Sequence, residues 1–549
     1  MSRAVYLFVL AGWLSLAAAD RASAGDWAQW CGTPGKNMVS DEKGLPESFV
    51  PGTKQIKQRT IDLSTAKNVK WGVKVCDAFF STPSVAGGKV FIGGLESQDG
   101  IFACLDAATG KLLWKWQAPP RKAPRRINDF EIGISVIPQL LGVCSSAAVE
   151  GDRIYFVSNR FDVICLDARG QPSGPEAGKA RVVWQYDTWE QLGVFPCDAA
   201  DGAPLIDGDL LYVPTSNGVD RNTFHDPYRE KNRKVPAPHA PNLIVLDKAS
   251  GRLVARDDTP IAEGLLHGQW SSPSLGQVGG RKLVFFAGGD GRCYAFEALR
   301  GCRETGTGSE PVRTSPKTER GGEVPVPVSQ PEKPVALKTV WHCDCIPPEY
   351  KATGNLDLVS YYCLGDKRCR GTLNKDDGAF VGMSEIIATP VFLNNRIYVA
   401  IGRDPAHGRG RGAMHCIDAT GAGDITKSGK IWTYQGLDRT LSTASVADGL
   451  VYVSDMAGRL HCLDADNGKC YWVHEAKCET WASTLLADGK VYMPTSKGLW
   501  VLKAGKELKV LSHINLGAKV YASPVVANGV LYVATTGGWL WAVQQQRGQ

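Results

Sequence analysis

"FACLDAATGKLLW", residues 102–114, is the stretch on which the fold turns. Phe102 to Leu105 form an apolar run of strand length, and turn chemistry follows at once. The Asp106 carboxylate can accept hydrogen bonds from the amides after it, Thr109 can do so more weakly, and Gly110 suits a left-handed reversal. Leu112 to Trp114 then begin a second strand, and the Trp114 indole offers a large flat surface to a neighbour. Each of these roles is structural, so the stretch speaks about architecture rather than chemistry.

The pattern recurs. Upstream lies "STPSVAGGKVFIG" at 81, and related cores follow as "SSAAVEGDRIYFV" at 145, "GAPLIDGDLLYVP" at 202 and "SSPSLGQVGGRKLVFFAG" at 271. Four more are "ATPVFLNNRIYVAIG" at 388, "STASVADGLVYVS" at 442, "ASTLLADGKVYMP" at 482 and "ASPVVANGVLYVA" at 522. Each reads as two antiparallel strands, because β-branched and aromatic residues flank Asp-Gly, Asn-Gly or Gly-Gly, pairs that tolerate the positive φ of tight hairpins. A third strand follows, as in "DVICLD", "NLIVLD", "MHCID" and "LHCLD", with Asp247 and Gly251, Asp418 and Gly421, or Asp464 and Gly468 repeating the turn. Trp114, Trp184, Trp341, Trp432 and Trp472 mark a fourth. Four strands per unit, repeated eight times, predict an all-β fold: an eight-bladed β-propeller of four-stranded blades.

The last copy stops after its third strand, whereas "NVKWGVKV", residues 68–75, is an orphan outer strand with Trp71 at the tryptophan position. The ring is therefore expected to be closed by this N-terminal outer strand, which removes exposed edges that an open solenoid would keep. The propeller spans 68–549, with an N-terminal segment at 25–67 before it. Residues 301–336, rich in Pro, Gly and charge, read as a flexible insertion. Residues 346–383 read as a long loop, and 216–241 as another long connection.

Arg3, the apolar run Ala4 to Ala19 and the small residues Ala22-Ser23-Ala24 read as a signal peptide over 1–24. The run is short of the roughly 20 residues that span a bilayer core, and no later stretch is long enough to be an integral membrane segment. A periplasmic or secreted protein is expected. The net charge of +6 is small for 549 residues and is spread along the chain, which gives no support to nucleic-acid binding.

Sixteen cysteines include no C-x-x-C pair, so neither a zinc finger nor a covalent c-type haem is expected. Cys104, Cys165, Cys416 and Cys462 share one repeat position, filled elsewhere by Val245, Ala295, Val501 and Ala542, and read as compact hydrophobes. Cys76, Cys197, Cys343, Cys345 and Cys478 map to loops on one face, with Cys363 and Cys369 on the adjoining loop; disulfides stapling those loops are expected. No metal ligand set is assigned: "DADNG" at 464 is a turn without the spacing of a calcium loop.

In a propeller, the loops leading into the inner strands share a face with those between the second and third strands, and the channel mouth there is the default ligand site. The candidate binding residues at that mouth are His267, Gln269 and Trp270 of "LLHGQWSSPS", together with Glu385, Arg439, Glu479, Lys519, Asp77 and Asp438, which precede the repeat cores. Charges of both signs are expected to line the rim.

The eight repeats, with "QWSSP", "SEIIATPV", "TSNGVD" and "DWAQWCG", resemble a secreted bacterial branch of the PQQ-repeat, quinoprotein alcohol dehydrogenase-like propellers. That superfamily also holds a non-enzymatic outer-membrane assembly lipoprotein. For its enzymes the resemblance implies pyrroloquinoline quinone (PQQ) between a tryptophan floor and a disulfide of adjacent cysteines, beside a calcium ion. Here no two cysteines are adjacent; Asp344 separates Cys343 from Cys345. The expected function is a non-catalytic binding scaffold for a protein, peptide or cell-envelope ligand, with no cofactor assigned. The alternative is a PQQ- and calcium-dependent alcohol or sugar dehydrogenase, with Trp270 as a stacking platform.

Overall fold

The computed structural model describes residues 25–119, 141–219, 235–265, 267–300, 334–348, 375–376, 384–403 and 410–546, and the backbone of 126–127, 130–131, 356–363 and 367–374. The expected signal peptide and residues 301–333 of the insertion lie outside the described residues.

Eight sheets, each built on four antiparallel strands and four of them extended by one or two short added strands, form an eight-bladed β-propeller. The first blade runs Ser84–Ala86, Lys89–Glu96, Asp99–Asp106 and Leu112–Gln117, from the axis outward. Its inner hairpin turns on Gly87 and Gly88, at φ of 56° and 72°, the left-handed region that such pairs supply. The fourth strand of the last blade is Val69–Lys74, antiparallel to Trp539–Val543 with Trp71 opposite Ala542, and the short strands Thr60–Asp62 and Thr53–Gln55 extend the sheet beyond it. The ring is thus closed by the N-terminal strand, as the orphan sequence predicts.

The opening motif folds as its residues dictate. Asp106 Oδ1 accepts from the Thr109 amide at 2.8 Å and the Thr109 hydroxyl at 2.7 Å. The register then slips by one residue just after Cys104, and the same bulge follows Cys165, Cys416 and Cys462. Each of these cysteines sits opposite the outer-strand tryptophan and is fully buried. Burial pushes all four thiols up to about 12, so they serve as small apolar fillers at the bend.

The tryptophans join neighbouring blades. Trp71, Trp114, Trp184, Trp341, Trp432 and Trp472 each donate from the indole nitrogen to a carbonyl of the next blade, at 3.0–3.1 Å. A Cβ on Gly110 would lie 2.7 Å from the Trp71 ring, and φ there is +74°. Glycine is required for both reasons.

Residues 25–45 circle the channel along the inner strands. The amides of Val149, Leu275, Phe392 and Leu486 donate to the carbonyls of Ala28, Pro34, Gly35 and Met38 at 2.8–2.9 Å, while Trp27 bridges Val85. The Asn37 side chain stands in for a strand at blade six, accepting from the Val446 amide and donating to its carbonyl. Backbone groups that would form a row of inner edges are thereby satisfied.

Two expectations need correction. The connection 346–383 contains a hairpin, Leu356–Cys363 paired with Lys367–Asn374. Cys76, Cys343, Cys345 and Cys478 are free thiols rather than staples; the Cys363 and Cys369 side chains lie outside the described residues. Among the described residues no helix is long and apolar enough to cross a membrane.

Candidate functional site

Backbone bridges Ala78 to Leu95, Pro196 to Asn217 and Glu385 to Gly402 tie the loops leading into the inner strands to those between the second and third. In blade four a side chain does this work: Gln269 donates to the Ala287 carbonyl at 2.7 Å and accepts from the Gly289 amide at 2.8 Å.

At the centre of this face the described residues enclose a cup of about 180 Å³. The repeat register builds it in two tiers. The deeper tier is the second residue of seven of the eight cores, Thr82, Ser146, Ser272, Thr389, Thr443, Ser483 and Ser523, with Ala203 at that position in the third. These hydroxyls are chained to the next blade. The amides of Thr389, Thr443, Ser483 and Ser523 donate to the hydroxyls of Thr443, Ser483, Ser523 and Thr82 at 2.9–3.0 Å. The outer tier is the residue just before each core: Phe80, Trp270, Ile387, Leu441, Trp481 and Tyr521, with Cys144 and Asp201 in blades two and three. From the N-terminal segment Trp30 reaches the same space and donates to Thr389 Oγ1 at 2.9 Å.

One side of the wall is an aromatic pair. Trp481 and Tyr521 stack at 5.1 Å between centroids and 18° between planes. Glu479 Oε2 accepts from both, at 3.2 Å from Trp481 Nε1 and 2.8 Å from the Tyr521 hydroxyl. Lys519 Nζ donates to the same hydroxyl at 3.1 Å. Burial and the Glu479 carboxylate push the Tyr521 phenol well up, so it remains a donor at neutral pH.

Of the residues singled out from sequence, Trp270 alone lines the cup. His267 and Gln269 are fully buried behind it, and Glu385 is fully buried in its bridge to Gly402. Asp438 and Arg439 are half-buried, and Asp438 is pushed up by burial and by Asp455. Asp77, Glu479 and Lys519 are exposed, and Lys519 lines a separate depression with Lys497 and His513. Phe80, Trp481 and Tyr521 are the functional candidates that sequence reasoning missed. Their signal was an aromatic residue at one fixed repeat position, immediately before the core rather than three or four residues earlier.

The cup can be tested against calcium-bound PQQ on its donors. Calcium takes six to eight oxygens, with carboxylates supplying the charge. Asp201 is the single carboxylate among the described residues lining the cup, and several hydroxyls there are engaged with the next blade. Among the described residues one thiol, Cys144, lies on the wall, and no two cysteines are adjacent in the sequence to form the vicinal disulfide. The residues do not fit that group.

The family model described as outer membrane protein assembly factor BamB, a PQQ-repeat model, matches residues 53–313 and 411–549. The chain belongs to this family. A curated relative, quinohemoprotein alcohol dehydrogenase ADH IIB from Pseudomonas putida, is 30% identical over 204 residues, covering 35% of this chain and 26% of that protein. The chain thus spans about a quarter of that relative's length. Among solved structures, BamB from Moraxella catarrhalis matches with a TM-score of 0.50 and 13% identity, over 86% of this chain and 98% of that one. Quinohemoprotein alcohol dehydrogenase from Comamonas testosteroni matches at a TM-score of 0.44 and 12% identity, over 96% and 81%. The family therefore has relatives described as assembly factors and as dehydrogenases. The likeness to the BamB structure bears on the fold alone, and the choice of function falls to the site.

Proposed function

We propose that this chain is an exported, non-catalytic binding scaffold whose cup anchors a side chain or chain end of a protein or peptide partner. The observation that carries this reading is the cup's size and lining. At about 180 Å³ it is smaller than the roughly 300–1,000 Å³ of pockets that bury a whole cofactor-sized ligand. It matches an anchor residue of a larger partner, the kind of buried aromatic or aliphatic contact that dominates interfaces. Its walls are aromatic and aliphatic, its deeper ring offers hydroxyls, and Asp201, Glu479 and Lys519 supply polar contacts at or beside the rim. The family description as an outer membrane protein assembly factor supports an envelope partner, and the N-terminal sequence supports export.

Calorimetric titration with synthetic extended peptides that alternate aromatic and polar residues tests this. Binding is expected for the native protein and lost in Trp481→Ala with Tyr521→Ala, while circular dichroism and thermal unfolding show the ring intact. Equal affinity in the native and doubly substituted proteins would remove the cup from the binding surface.

A further inference from the structure

Behind the Trp270 wall of the cup lies a second constellation. Cys197, Asp198 and His267 bring a thiol sulfur, a carboxylate oxygen and an imidazole nitrogen within 4.8 Å of one another. Cys197 and His267 are buried, and the Asp198 side chain is 12% exposed. His267 Nε2 lies 2.9 Å from Asp198 Oδ2. We propose that these three residues form a binding site for a divalent transition-metal ion, with zinc the best match.

The donor set selects the class of ion. Thiolate sulfur and imidazole nitrogen favour zinc-like metals over magnesium or calcium, which take oxygen ligands. A thiolate, a carboxylate and a neutral imidazole carry two negative charges, which a divalent ion neutralises in a buried setting. Bonds of about 2.0–2.3 Å in tetrahedral zinc sites place ligand atoms roughly 3.3–3.8 Å apart, so the cluster reaches that geometry when the His267 to Asp198 contact opens by a few tenths of an ångström and the thiolate, within 4.8 Å of both, closes to the same range. Three protein ligands leave a fourth position for water or another donor.

The framework holds the three residues in place without the ion. The Cys197 amide donates to the Ser216 carbonyl at 3.1 Å, and the Val219 amide to the His267 carbonyl at 2.8 Å. A Cβ on Gly218 would lie 2.3 Å from Cys197 Cβ, so a glycine there lets the two loops close on the cysteine. Asp198 adopts a left-handed φ of 58°, a conformation that aspartate tolerates better than most residues. On the cup side, Trp270 meets His267 edge-on at 4.7 Å between centroids and donates from its indole nitrogen to the Cys197 carbonyl at 3.3 Å. Packing and hydrogen bonds of this kind orient metal ligands and exclude solvent. An ion here would also brace Trp270, linking this site to the wall of the cup.

Cobalt(II) is the probe that reports thiolate ligation directly. The purified, chelator-stripped protein should bind one equivalent of Co²⁺ with an intense near-ultraviolet thiolate-to-cobalt band and visible bands of a four-coordinate ion, both displaced by Zn²⁺. Cys197→Ser should abolish the charge-transfer band. His267→Gln and Asp198→Asn should each weaken Co²⁺ binding by about tenfold or more. Cys144→Ser, which alters a thiol on the cup wall, should leave the spectrum unchanged. If Cys197→Ser fails to fold by circular dichroism, the Asp198→Asn affinity decides, since the amide preserves the side chain's size. Absence of a thiolate band at saturating Co²⁺, a band that persists in folded Cys197→Ser, or unaltered affinity in Asp198→Asn would overturn the proposal.

Discussion

Trp71 donates from its indole nitrogen to the Ala107 carbonyl at 3.1 Å, which fastens the strand completing the last blade to a turn of the first. The two residues are 36 apart in sequence but join opposite ends of the ring. Trp71→Ala should destabilise the fold by about 3–5 kcal/mol, the usual cost of removing a buried tryptophan. Gly110→Ala should cost about 2 kcal/mol, from a strained φ and from contact with the same indole. Urea unfolding midpoints measure both, and a loss under about 0.5 kcal/mol for Trp71→Ala would show that closure does not depend on this contact.

The N-terminal segment should matter as much as a blade strand. Asn37 is fully buried and makes both of its hydrogen bonds to Val446, at 2.8 and 2.9 Å. Asn37→Ala leaves a buried amide and carbonyl unpaired and should cost about 1–3 kcal/mol. Hydrogen exchange should show the Val446 amide losing protection before its blade opens. Unchanged exchange there would mean that water or another group replaces the side chain.

Thiol chemistry should follow burial. Cys470 and Cys478 are the half-buried thiols among the described cysteines, whereas Cys104, Cys165, Cys416 and Cys462 are buried and held up at about 12. Iodoacetamide on the native protein, mapped by mass spectrometry, should label Cys470 and Cys478 before those four. Early modification of Cys104 would contradict its role as a packed filler.

Acid should weaken the fold through His415. This imidazole is buried, bonded to Thr433 Oγ1 at 2.9 Å and the Cys345 carbonyl at 2.8 Å. Burial, with Lys430 nearby, pushes it down from 6.5 to about 3. Above about 6.5 it is neutral in both states. As pH falls from there towards about 3, the unfolded chain binds a proton that the folded chain refuses, so stability is lost across that window. His415→Gln should cost about 1–3 kcal/mol at neutral pH and flatten this part of the pH dependence. An identical slope of stability against pH in both proteins would assign the acid sensitivity to other groups.

The ring was legible because it is written eight times. Turn pairs, the Asp106 to Gly110 motif and the outer tryptophans repeat at fixed spacing, and Trp71 upstream of the first core announces closure. The site was less legible for a physical reason: side chains in one loop can face the axis, the loop beneath or the solvent, and spacing from the core alone does not say which. Trp270 faces the cup while His267, three residues earlier, is buried behind it. The path of residues 25–45 around the axis follows from backbone pairing with six separate blades and the Asn37 side chain at a seventh, for which no local pattern exists. Cys197 and His267 are likewise 70 residues apart and meet only because their blades are neighbours.

The measurement that most directly separates a binding scaffold from a quinoprotein is equilibrium dialysis of the purified protein against PQQ and Ca²⁺, followed by alcohol-dependent dye reduction. A non-catalytic cup predicts no stoichiometric quinone retention and no dye reduction above a protein-free control. One quinone retained per chain, with dye reduction that depends on added alcohol, would contradict it.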